Sequence, residues 1–210
     1  MPSCYYGLVI RMLDHVAFVA RDLAAAAEEY RGRGLTVTPG GEHADGSTHN
    51  VLVAFANGAY LELISFLRPA PQHRWWRYAD SGGFADFAVL SDDLDADVAA
   101  LGTLVTRRPE EGGRIRPDGV RLRWRTAVLT PPLPFLIEDL TPRDRRVPSG
   151  EAARHPNGTT GIASVVVGCR DLVSAELAYA RLRARGGPDV VLRAGPTDGI
   201  LDARFASDAG

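Results

Sequence analysis

The sequence predicts an α+β protein assembled from repeated βαβββ units, two complete and a third cut short. Three observations carry this. One stretch is written three times: LDHVAFVARDL at 13–23, FADFAVLSDDL at 84–94 and IASVVVGCRDL at 162–172. Each alternates apolar with small or polar residues, as a half-buried strand does, and then runs into an Asp-Leu pair. The aspartates Asp22, Asp93 and Asp171 stand where a helix begins, 71 and 78 residues apart. A short carboxylate there accepts the free N–H groups of the first turn. Between these starts lie further strand patterns punctuated by Gly, Asn and Pro. A βα start recurring at such an interval marks a chain built of modules.

The first module, 12–66, reads as strand 13–19, helix 22–33 stopped by Gly34, strand 35–39, a Gly-rich loop 40–47, strand 48–56, the hairpin turn Asn57-Gly58 and strand 59–66. On its first strand Leu13, His15, Ala17 and Val19 share one face, and Asp14, Val16 and Phe18 the other. Residues 67–82 are a linker with Pro69, Pro71 and the pair Trp75-Trp76. The second module, 83–140, opens with a strand at Phe84 and a helix over 93–103. A short strand at 104–106, a charged loop to Gly119 and strands at 120–129 and 134–139 follow. Residues 141–161 are polar and Pro-rich and read as a connection. The third unit, 162–210, has a strand at 162–168, a helix at 171–185 and strands at 189–193 and 200–206. Residues 1–11 read as an N-terminal extension. An unfinished module leaves a sheet edge and an apolar face to be covered, within the chain or by a second copy, so a homodimer is expected.

Composition narrows the function. Among 210 residues, 24 basic side chains face 26 acidic ones, which gives no footprint for nucleic acid. All the basic residues are Arg, which excludes a lysine Schiff base or lysine general base. No apolar run reaches the ~20 residues of a membrane helix, and no signal peptide is evident. Cys4 and Cys169 give no disulfide framework, which fits a cytoplasmic protein. There is no G-x-S-x-G elbow, phosphate loop or H-E-x-x-H motif.

The βαβββ repeat, the LDHV strand start and the AYLELI strand at 59–64 resemble the vicinal oxygen chelate superfamily, which includes glyoxalase I, extradiol dioxygenases and fosfomycin-resistance proteins. THN at 48–50, RPDGVRLRW at 116–124, TPRDRRVP at 141–148 and HPNG at 155–158 look like the glyoxalase-like domain proteins within it. The resemblance spans about residues 12–187. It implies that the paired modules form a cup-shaped mixed sheet around a divalent metal (Zn, Fe, Mn or Ni), with ligands from the first and fourth strand of each module. Carried over, those positions fall on His15 and Glu62 in the first module. In the second they fall on Asp86, a third candidate ligand, and on Phe135, which cannot bind an ion.

Each candidate has a structural alternative. His15 is a ligand, a substrate contact or a core histidine. Glu62, flanked by Leu61 and Leu63, needs a partner in a core strand, and an internal salt bridge to an arginine would supply one. Of His49 and Asn50 one must face the cup, and Asn50 shares parity with Leu52 and Ala54. Arg121, Arg123 and Arg125 alternate along one strand and either line an anion-binding cup or form a solvated face, with Trp124 on the other side. The residues expected at the site are therefore His15 and Glu62 as catalytic groups, His15, Glu62 and Asp86 as metal ligands, and Asn50, His49, Arg123, Trp124 and Phe135 as substrate contacts. The expected function is a metal-dependent lyase, isomerase or dioxygenase-type enzyme acting on a small oxygenated metabolite. The alternative is a metal-free binding or sequestration protein using the same cup.

Overall fold

The computed structural model describes residues 10–207. The first module comprises β1 (Ile10–Val19), α1 (Leu23–Gly32), β2 (Thr38–His43), β3 (Thr48–Ala54) and β4 (Tyr60–Phe66). The second comprises β5 (Gly83–Ser91), α2 (Leu94–Leu101), β6 (Val105–Ile115), β7 (Arg121–Leu129) and β8 (Phe135–Asp139). Their eight strands close into a barrel in the order β1-β4-β3-β2-β6-β7-β8-β5. The wiring is the same in both halves: the first strand runs parallel to the fourth, β1 with β4 and β5 with β8. Antiparallel pairings of β1 with β5 and β2 with β6 join the halves. The paired βαβββ architecture is thus the one the repeat predicts.

The helices start where the aspartates place them. Asp22, Asp93 and Asp171 each accept the backbone N–H three residues on, at 3.0, 2.9 and 3.1 Å. Leu23, Ala26, Ala27 and Tyr30 of α1 and Leu94, Val98 and Leu101 of α2 bury one face against the outside of the barrel. Since the helices cover that outer face, the inner face is free to carry polar groups.

After β8 come α3 (Arg143–Arg146), β9 (Thr159–Cys169), α4 (Leu172–Arg183), β10 (Val191–Ala194) and β11 (Gly199–Ser207). The last three strands form a separate sheet in the order β10-β9-β11. Ile162, Val165, Val167, Tyr179 and Leu182 join the same apolar core as Phe55, Leu129 and Leu133 of the barrel. Tyr179 Oη donates to the Pro132 carbonyl at 2.8 Å, and Arg185 pairs with Asp97 at 2.8 Å. Part of the half-module's apolar surface is therefore covered within the chain, while Val173, Leu177 and Leu201 remain exposed. No described helix is long and apolar enough to cross a membrane.

Three segments differ from the sequence expectation. β1 begins at Ile10, inside the expected extension; residues 1–9, with Cys4, and 208–210 lie outside the described residues. β2 runs through Gly40-Gly41 to His43 instead of ending at Pro39. These glycines are where backbones crowd: a Cβ on Gly40 would strike the Asn50 side chain, and one on Gly41 the Ile115 carbonyl. β6 extends over eleven residues where a charged loop was expected. Its outer face is solvated, so it lacks an apolar alternation, and its ladder to β7 slips around Pro109.

Candidate functional site

The barrel encloses a cavity of about 290 Å³ between the modules. Its most buried wall is built from β1, β3 and β4 of the first module. The ladder of β1 to β5 slips there: Leu13 pairs with Val89 but His15 with Ala88, so two steps on β1 match one on β5. A bulge re-aims the side chains around it. Asp14, expected on the face opposite His15, accordingly meets it, with His15 Nδ1 2.6 Å from Asp14 Oδ1. Tyr60 stacks on the imidazole with ring centroids 4.7 Å apart, and Phe135 meets it edge-on at 5.4 Å.

The other imidazole nitrogen, His15 Nε2, faces Glu62 Oε2 at 3.5 Å. Glu62 is 5% exposed. Its Oε1 accepts from the Asn50 amide and lies 3.5 Å from His43 Nε2. His43 is held in turn by Thr48 Oγ1, 2.8 Å from its Nδ1. Burial alone would push the Glu62 carboxyl up; His43, His15 and Asn50 outweigh it and hold the group at about 2.

Behind this wall lies a buried ion network. Arg146, 2% exposed, forks onto Asp14 through Nη1–Oδ1 (3.0 Å) and Nη2–Oδ2 (2.7 Å). It also donates to Tyr60 Oη at 2.8 Å and pairs with Asp139. Arg143 reaches both Asp14 and the Gly58 carbonyl. Burial would raise the Asp14 carboxyl, but Arg146 and His15 keep it well below the usual range. Asp14 therefore only accepts, so the His15 proton shared with it sits on Nδ1, and Nε2 addresses the cavity. Arg114 completes the floor, giving Nη1 to Asn50 Oδ1 (3.2 Å) and Nη2 to the Arg146 carbonyl (2.7 Å).

The opposite side is apolar. Phe135 and Ile137 of β8 and Trp124 of β7 line it, and Trp75 from the linker joins them. His15, Glu62, Asn50, Trp124 and Phe135 thus meet around one cavity. Three expected residues do not. Asp86 is taken by the linker, where Arg74 forms an ion pair with it and Trp75 Nε1 lies at 3.4 Å, and it does not line the cavity. Arg123 points away from the cup and pairs with Glu111 at 2.6 Å, because its neighbour Trp124 takes the inner face. His49 falls between the inward Thr48 and Asn50 and shares the outer face with Val51.

The expected three-ligand set is therefore not assembled. Among the described residues no three His, Cys, Asp or Glu groups come together to hold an ion. The nearest approach is His15, His43 and Glu62. Its two imidazoles address different carboxylate oxygens, one of which already accepts from Asn50. A divalent metal does not fit these side chains as they stand.

Sequence reasoning missed His43, Asp14, Arg114 and Arg146. A signal existed for His43 alone: two adjacent glycines followed by alternating Glu42 and His43 also read as a strand squeezed between neighbours.

This barrel of paired modules around a polar-floored cavity defines a class, and sequence comparison agrees. The model of the glyoxalase-like domain matches residues 13–183, so the chain belongs to the glyoxalase-like domain family. No curated protein matches the sequence. Among solved structures, a hypothetical protein from Staphylococcus aureus is similar at a TM-score of 0.70 and 13% identity, over 89% of this chain and 87% of that one. Methylmalonyl-CoA epimerase from Mycobacterium tuberculosis is similar at a TM-score of 0.45 and 21% identity, over 67% of this chain and 94% of that one. The Streptomyces coelicolor epimerase matches at 0.44 and 19%, over 63% and 99%.

Proposed function

We propose that the chain is an acid–base enzyme of small oxygenated metabolites, moving a proton on a carbon beside a carbonyl. His15 Nε2 is the atom that takes and returns the proton. The observation that carries this is the buried Asp14–His15 pair at 2.6 Å, which fixes the ring and leaves Nε2 on the cavity facing Glu62. An imidazole oriented by a carboxylate is a common proton-transfer device. Glu62, held at about 2, is too weak a base near neutral pH for the same task. It serves instead as a fixed negative charge that accepts a hydroxyl or enol proton in a hydrogen bond. Asn50 positions Glu62, while Trp124 and Phe135 contact the rest of the molecule. The metal-dependent form that the resemblance implies would need His15, His43 and Glu62 to converge on one point, whereas the two imidazoles address different oxygens of Glu62, so no step is assigned to an ion.

The test is exchange of carbon-bound hydrogen for deuterium in D₂O, followed by proton NMR on hydroxyacetone and 2-hydroxyacetophenone. Wild type should catalyse exchange, and His15→Gln should lose about 10²–10⁴-fold. Equal rates in the two proteins, or no exchange by wild type, overturn the proposal. A second reading, sequestration without chemistry, is supported by how completely Glu62 is already held by Asn50, His15 and His43. Calorimetric binding of these ketones without exchange would favour it.

A further inference from the structure

The cavity has two unlike ends, and their chemistry describes the molecule it takes. At the buried end Glu62, held as a carboxylate, only accepts hydrogen bonds. Beside it stands Arg114, whose Nε is the one buried side-chain polar atom with no hydrogen-bond partner among the described residues. A guanidinium left short of an acceptor favours a ligand oxygen. Such a floor suits a hydroxyl next to a carbonyl: the hydroxyl donates to Glu62, and the carbonyl accepts from the Arg114 side.

The open end is built from rings. Trp75 and Trp124 are half-buried, and Phe135 is buried between β8 and the linker. Trp75 and Phe135 stand 6.2 Å apart between centroids, and the Arg74 guanidinium lies over both, at 5.3 and 4.7 Å. Trp124 meets His43 edge-on at 6.1 Å, so this wall begins where the polar floor ends. Its placement depends on Gly112, directly across the β6–β7 ladder, since a Cβ there would lie 2.8 Å from Trp124 Nε1. Faces and edges at this spacing grip a flat ring better than a flexible chain. A cavity of about 290 Å³ holds roughly a dozen non-hydrogen atoms at ordinary packing density.

We infer that the ligand is an aryl α-hydroxycarbonyl compound, with its ring among Trp75, Trp124 and Phe135 and its oxygens on the Glu62–Arg114 floor. This rests on the proton-transfer reading for its chemistry and on the aromatic wall for its selectivity.

The test compares 2-hydroxyacetophenone with hydroxyacetone, which share the reacting group and differ in the ring. Binding by calorimetry and deuterium exchange by NMR are measured for wild type, Trp124→Ala and Gly112→Ala. Wild type should prefer the aryl ketone at least tenfold in both Kd and exchange kcat/KM. Both variants should lose most of that preference, through the aryl ketone far more than through hydroxyacetone. Gly112→Ala displaces the indole without touching the floor, so it answers the question if Trp124→Ala folds poorly, as thermal melting will show. Equal handling of the two ketones by wild type overturns this inference and leaves the proton-transfer reading standing. Ring-dependent binding without exchange does the reverse. Binding of neither overturns both.

Discussion

The two modules share one backbone plan but have opposite interiors. Aligned through their capping aspartates, His15 corresponds to Asp86 and Ala17 to Ala88, and the ladders then match Glu62 to Phe135. The strand registers agree, with Ala17 beside Glu62 and Ala88 beside Phe135. In the first module these positions carry an imidazole and a carboxylate. In the second, Ala88, Leu90, Phe135 and Ile137 form an apolar cluster, and the one acid, Asp86, is neutralised by Arg74. The shared plan sets the cavity's shape; the first module supplies the imidazole and the carboxylate, and the second supplies the ring wall together with Arg114 of the floor. A symmetric cup would hold an ion with donors from both sides, whereas this one sets a polar floor against rings.

The largest expected effect lies in the ion network behind the first module. Arg146→Met should destabilise by ~3–5 kcal/mol, because it strips the buried Asp14 of its forked cation. The melting temperature by calorimetry should fall on the order of 10 °C. Adding Asp14→Asn should cost less than the sum of the two changes. A single-variant shift within about 2 °C would mean that the network is dispensable.

Next is the pH dependence of Glu62. Its folded value of about 2 lies below its ordinary 4.5. A depressed acid stabilises the fold above its unfolded pKa and loses that contribution as pH falls through the folded one. Stability should therefore drop between about pH 5 and 2, by on the order of 3 kcal/mol from this group. Denaturant titrations of wild type and Glu62→Gln across that range should converge at the acid end, and parallel curves would remove the claim.

Phe135→Glu then tests the asymmetry directly by restoring a carboxylate opposite Glu62. The variant should lose about 2–4 kcal/mol in chelator. Added Mn²⁺ or Zn²⁺ should raise its melting temperature and leave wild type unmoved. A metal-dependent shift in wild type would show that His15, His43 and Glu62 suffice as a site. The smallest effects concern what the modules have in common. Asp22→Ala, Asp93→Ala and Asp171→Ala should each cost about 1 kcal/mol. Unequal costs would show that the three helix starts are not equivalent.

The fold was legible because strand alternation and aspartate capping are local, and the chain repeats them three times. The site was half legible for the same reason: His15, Glu62 and Asn50 fall on inward positions of regular strands. Asp14 was misplaced because a bulge breaks the two-residue period on which face assignments depend. His43 and Arg114 sit on strand segments disguised by glycines and by a solvated outer face. Arg146 belongs to a segment with no periodic signal, and its partners Asp14 and Tyr60 are 132 and 86 residues away. Pairings of that range leave no trace in spacing.

The segment bearing Arg143 and Arg146 lies outside both repeats, yet its guanidinium groups neutralise an acid at the barrel's centre. The repeats are consequently not self-sufficient in charge. A fragment ending at Leu140 would contain every barrel strand and still lack the cations that make Asp14 tolerable in its interior. Swapping or trimming such modules has to follow the path of the charges, not the boundaries of the repeat.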